Sequence, residues 1–138
     1  MKEENMDEFK FDSQVCTDIN QSERLLALGL KKRTADCVWI EMSKNDWRVD
    51  ANGWKEYYSI IEEGIAPAWS LDRLREMLNK SKVTISFVER DTSIIVERYG
   101  VFQSVCEVWD NVYDNICDAI EWLIKEGYFP KEYLEGKQ

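Results

Sequence analysis

Toward the end of the chain Val112, Ile116, Ala119, Ile120 and Leu123 recur at helical spacing, and Asp114, Asp118, Glu121 and Lys125 fill positions between them. Such spacing collects the apolar set on one stripe and the charged set on another, which predicts an amphipathic helix over Asn111 to Glu126. Gly127 can end it in the left-handed conformation, and Pro130 forbids continuation. The same period predicts further helices, about four in all. Ile19, Leu25, Leu26 and Leu28 define one from Thr17 to Leu28, with Thr17 or Asp18 as cap and Gly29 as stop. Trp54, Tyr57, Tyr58 and Ile61 define one over about 54 to 63, ahead of Gly64, and another runs from Leu71 to Leu78.

Between residues 82 and 109 the period drops to two. In KVTISFVE, Val83, Ile85 and Phe87 alternate with Thr84 and Ser86; SIIVERY follows Asp91-Thr92, and Gly100 separates VFQSVCEVW. An antiparallel meander of three strands is the simplest arrangement. With Asp91-Thr92 as the loop, Phe87 faces Val96 and Glu89 faces Ile94, so Val83, Ile85, Phe87, Ile94 and Val96 share one face, over which helices pack. Residues 34 to 53 suggest a turn, a short strand at Cys37 to Ile40, and a second at Trp47 to Val49 closing a hairpin through Asn45-Asp46. The pattern as a whole predicts an α+β fold: a flexible leader over residues 1 to 12, then one domain over 13 to 138 with its helices mainly on one face of a small antiparallel sheet.

PAWSLDRLREML, residues 67 to 78, reads as a capped helix start. Ser70 stands at the N-cap, Asp72 adds favourable charge to the first turn, and Trp69 with Leu74 occupy the positions of a hydrophobic staple. Pro67 stiffens the approach. Loss of the Ser70 hydroxyl is expected to cost about 1 kcal/mol.

Composition narrows the function classes. With 44% hydrophobic residues and six tryptophans, the 138-residue chain has side chains enough for a real core. The 27 acidic and 18 basic residues give a net charge of −9, so direct binding to nucleic acid is disfavoured. The one tight basic run, Lys31-Lys32-Arg33, follows a helix end, where cations complement the helix dipole. No histidine is present, which removes Ser-His-Asp and Cys-His nucleophile activation and histidine-containing zinc sites. Cys16, Cys37, Cys106 and Cys117 show no Cys-x-x-Cys spacing and read as reduced, mostly buried residues. No apolar run is long enough for a membrane span or forms a signal peptide, so a cytoplasmic location is expected, and no cofactor motif appears.

Two constellations bear on chemistry. Asp110, Asp114 and Asp118 stack along one helix face, with Glu107 just upstream, so Glu107, Asp110 and Asp114 are the candidate ligands of a divalent cation. Set against that, a row on one helix offers neighbours from a single direction, and acids near a helix start are stabilising on a solvated face. Trp47 and Trp109, outside the helical patterns, are the candidate binding-surface aromatics.

Three blocks, QSERLLALGL with TADC (21 to 37), PAWSLDRLREML (67 to 78) and YDNICDAIEWLIKEG (113 to 127), are similar in order and content to a group of small uncharacterised proteins of gut bacteria, often found with phage-like or mobile elements. The resemblance implies a stand-alone domain of phage or mobile-element type and brings no catalytic residue or cofactor with it. The expected function is therefore that of a non-enzymatic accessory domain that binds another protein. A carboxylate-dependent divalent-metal enzyme acting on phosphate esters is the alternative, and an acidic mimic of DNA the third reading.

Overall fold

The computed structural model describes residues 13–51, 64–88, 92–107 and 111–136. Along them run helix α1 (Ile19–Ala27), strands β1 (Cys37–Ser43), β2 (Asp46–Ala51) and β3 (Ile65–Ala68), helix α2 (Leu71–Asn79), strands β4 (Thr84–Val88), β5 (Ser93–Arg98) and β6 (Val101–Ser104), and helix α3 (Val112–Glu126). Short 3-10 turns occupy Lys32–Thr34 and Lys131–Tyr133.

Each helix starts where a side chain can accept an orphan backbone N–H. Asp18 caps α1 and Gln21 returns the favour, its side chain accepting from the Asp18 N–H at 2.9 Å, which completes a capping box. Ser70 caps α2, and Asn111 caps α3 by accepting from Tyr113 and Asp114. Gly127, at φ +80°, ends α3 in the left-handed conformation. The helix expected over about 54 to 63 lies outside the described residues, as does the leader over 1 to 12.

The strands form two antiparallel sheets of three, ordered β2-β1-β3 and β4-β5-β6. The first corrects the expectation of one sheet with a separate hairpin: Ile65–Ala68, read as the approach to a helix, pairs with β1 from Cys37↔Ala68 to Ile40↔Ile65. Proline is tolerated there because β3 is an edge strand. The Glu41 N–H bonds the Gly64 carbonyl at 2.8 Å, so the ladder bonds fall at alternate pairs and Pro67, opposite Val38, lies between them.

In the second sheet the register differs from expectation by two residues. Phe87 faces Ile94 and Ile85 faces Val96, the last described pair of the ladder being Val88↔Ser93, with Thr92 at φ +57° before it; the expected partner Glu89 lies outside the described residues. A shift of two leaves every side chain on its expected face. Ile94 and Val96 are accordingly buried, with Val83, Ile85 and Phe87 packed beside them.

One core joins both sheets to the helices: Val38 from β1, Trp69 before α2, Leu74 and Leu78 from α2, Ile94 from β5, and Ile116, Ile120 and Leu123 from α3. A smaller cluster of Cys16, Cys37 and Ala68 lies beside it. Among the described residues no helix is long and apolar enough to cross a membrane.

Candidate functional site

The blocks TADC and PAWS, some thirty residues apart, meet side chain to side chain. Trp69 is wholly buried, and its indole N–H donates to the Thr34 hydroxyl at 2.9 Å while its backbone N–H donates to the Thr17 hydroxyl at 3.0 Å. Asp36 accepts from the backbone N–H of Ser70 at 2.8 Å and from its hydroxyl at 2.5 Å. The Ser70 oxygen also accepts from the Arg73 N–H at 3.1 Å, the capping bond, and the Arg73 guanidinium donates to the Thr34 carbonyl at 2.8 Å. The Ser70 hydroxyl is thus committed on both sides, donating to Asp36 and accepting the capping bond, which ties the two blocks together as a structural junction. Leu74 lies fully buried in the same core as Trp69.

The acidic row on α3 faces α1 rather than open water. Asp114 accepts from the Gln21 side chain at 2.7 Å, and the Arg24 guanidinium joins Asp118 at 2.7 Å to Glu121 at 2.8 Å. Lys125 approaches Glu121 at 3.3 Å, and the backbone N–H of Glu107 donates to Asp118 at 3.2 Å. Hydrogen bonds from Arg24, then Lys125, hold the Glu121 carboxyl below the usual carboxylate range. Asp114 thus turns to Gln21 while Glu107 meets α3 a turn further on, at Asp118; Asp110 lies outside the described residues. Among those residues no three His, Cys, Asp or Glu side chains gather as metal ligands would.

Two of the buried thiols, Cys16 and Cys117, are hard to ionise. Burial, in the main, pushes Cys117 up to about 12, and its hydrogen bond with Cys37, then burial, drives Cys16 upward as well. Tyr113, buried at the start of α3, is likewise pushed up to about 12 by loss of solvent.

The surface is different at the β5–β6 hairpin. Tyr99 and Gly100 form its two-residue turn, both in the left-handed region at φ +54° and +77°. That conformation suits the twist of a hairpin, and glycine or asparagine adopts it at less cost than tyrosine. The tyrosine placed there is 90% exposed, and Val101 and Phe102 after it are 65% and 67% exposed. Arg98 stands between rings, its guanidinium 5.2 Å from the centre of Tyr99 and 4.9 Å from that of Tyr128.

Beyond the hairpin, between the chain from Gln103 to Glu107 and α3, runs an open groove of about 520 Å³ that Asp118, Glu121, Trp122 and Lys125 border. A wider cleft of about 780 Å³ includes Lys82, Arg98, Tyr99 and Tyr128. Trp47, the described member of the expected aromatic pair, is half-buried on β2 opposite Glu41, and Trp109 lies outside the described residues. The exposed aromatics that the structure does bring together, Tyr99 and Phe102, went unread in the sequence. Their signal is the adjacency of Val101 and Phe102, since neighbours on a strand point to opposite faces and both cannot be buried by one core. Compared with protein-family models, curated proteins and solved structures, the chain gives no significant match.

Proposed function

We propose that this chain is a non-enzymatic protein-interaction domain whose partner docks on the β5–β6 hairpin, an accessory role of the phage or mobile-element type that the three sequence blocks suggest. The observation that carries the reading is the run of exposed apolar side chains, Tyr99, Val101 and Phe102, on one hairpin whose outer strand is a sheet edge. Aromatic side chains on a protein's surface supply contact area at low entropic cost, and tyrosine is enriched at the energetic centre of interfaces. The left-handed backbone at Tyr99 supports the same reading, because a hairpin needs only glycine or asparagine there. The described carboxylates of α3 support the metal-enzyme reading less, since Asp114, Asp118 and Glu121 are all engaged by side chains of α1.

Affinity capture from the source cells with the wild-type chain and with Phe102→Ser tests it. A partner recovered by the wild type should fall about tenfold with the variant, the size of effect that one contact-centre aromatic produces. Equal recovery by both chains, or no partner with either, overturns the reading.

A further inference from the structure

We propose that the free edge of β6 accepts an extended segment of the partner protein as a fourth strand, and that this segment alternates apolar with basic side chains. The proposal rests on the protein-interaction reading above and names the partner's chemistry. Backbone geometry comes first. The two-residue turn pairs Arg98 with Val101, and the Val105 N–H bonds the Ile94 carbonyl at 3.1 Å, so residues 101, 103 and 105 spend their backbone groups on β5. Phe102 and Ser104 therefore turn theirs outward, where no backbone group among the described residues meets them. Sheet edges are ordinarily guarded by charge, proline or a bulge. Val101-Phe102-Gln103-Ser104 carries neither charge nor proline, and its register with β5 is unbroken.

The side chains on either hand of that edge dictate the pattern of the incoming strand. Gln103, opposite the buried Val96, is on the side that faces α3, and Phe102, opposite Glu97, is on the other. The α3 side is the groove that Glu107, Asp118, Glu121 and Lys125 border. There Asp118 and Glu121 are already matched by Arg24 and Lys125, whereas Glu107 is exposed and has no ion-pair partner among the described residues. An added strand places alternate residues on the two sides, so a cationic side chain meets Glu107 while its neighbours lie against Phe102. A second copy of this chain would bring its own Glu107 and a net charge of −9 to the same edge, and like charge disfavours that pairing.

The test uses the isotope-labelled full chain and an octapeptide of alternating valine and lysine, N-methylated along one edge so that only the other edge can pair. Slowed exchange of the Phe102 and Ser104 amides on titration is the expected result. Replacing the peptide's lysines by glutamates should weaken binding about tenfold, and Glu107→Lys should weaken the lysine peptide in the same sense. Methylating the second edge should abolish binding. Strand addition is overturned if the glutamate peptide binds as tightly, if the doubly methylated peptide still binds, if the protected amides lie away from β6, or if sedimentation shows a dimer that Phe102→Lys dissociates. A partner captured in a Phe102-dependent way alongside any of those four results leaves the protein-interaction reading intact and removes strand addition alone.

Discussion

Trp69 directly follows β3 and Phe102 lies on β6, yet one of these large aromatics is wholly buried and the other lies mostly in solvent. At the junction, every polar group that Trp69 brings inside meets a donor or acceptor from a distant segment: Thr17 for its backbone, Thr34 for its indole. At the hairpin, β6 is paired on one side only among the described residues, and its neighbouring residues Val101 and Phe102 both stay exposed. The difference lies in what the backbone beside each ring has already satisfied. A buried ring surrounded by completed hydrogen bonds holds the fold together, whereas an exposed ring on an incomplete ladder offers both apolar area and unpaired peptide groups.

The sharpest break in this contrast is Trp69→Ala, expected to cost about 3–5 kcal/mol, because it opens a large cavity and strips Thr34 of its donor. Chemical denaturation reads it directly, and a cost within about 0.5 kcal/mol, the range of ordinary surface changes, would mean that the junction holds nothing. Alkaline pH reaches the same core by another route. The Cys117 thiol is held up at about 12 in the fold against an ordinary value of about 8.5, so the folded chain keeps its proton longer than the unfolded one. Its contribution to stability is then complete below about pH 8.5 and is lost as pH climbs toward 12, with Tyr113 adding to the loss above about pH 10. Urea midpoints across that window should fall, and Cys117→Ala should flatten the slope; an unchanged slope would place the titration elsewhere.

Ser70→Ala is expected to cost about 1–2 kcal/mol, since it removes the cap of α2 and leaves the Asp36 carboxylate one donor short. It should leave partner capture at the hairpin unchanged, and a loss of capture with normal stability would erase the distinction between the two regions. The smallest effect has the opposite sign. Tyr99→Asn relieves a left-handed tyrosine and should raise stability by a few tenths to about 1 kcal/mol, while capture weakens. Thermal melts and capture yields measured on one preparation separate the two; weaker capture without the gain would place the cost of Tyr99 outside the backbone.

The helices were legible because their signals are local. Asp18, Ser70 and Asn111 stand immediately before the first helical residue, and the burial of Ile116, Ile120 and Leu123 follows the period of the chain. Features that depend on distant partners were not. Ile65–Ala68 is too short and too marked by Gly64 and Pro67 to announce a strand, and becomes one only because β1 offers it an edge. The β4–β5 register is not specified by alternation alone, since a slip of two keeps every side chain on the same face, and the inward face came out as expected. The acids of α3 resembled a solvated row until α1 brought Gln21 and Arg24 against them. For the candidate site, tryptophan content pointed to Trp47 and Trp109, whereas the exposed neighbours Val101 and Phe102 went unread.

The junction also bears on the order in which the chain folds. Its hydrogen bonds close spans of 52 residues at Thr17–Trp69, 35 at Thr34–Trp69 and 34 at Asp36–Ser70, whereas the β5–β6 hairpin closes over two. Closing a longer span costs more chain entropy before any contact repays it, and hairpins form within about 1–10 µs on their own. The β5–β6 hairpin can therefore be sampled while Trp69 is still searching for Thr17 and Thr34. The open edge of β6 would then be presented to its surroundings before the core has closed behind it.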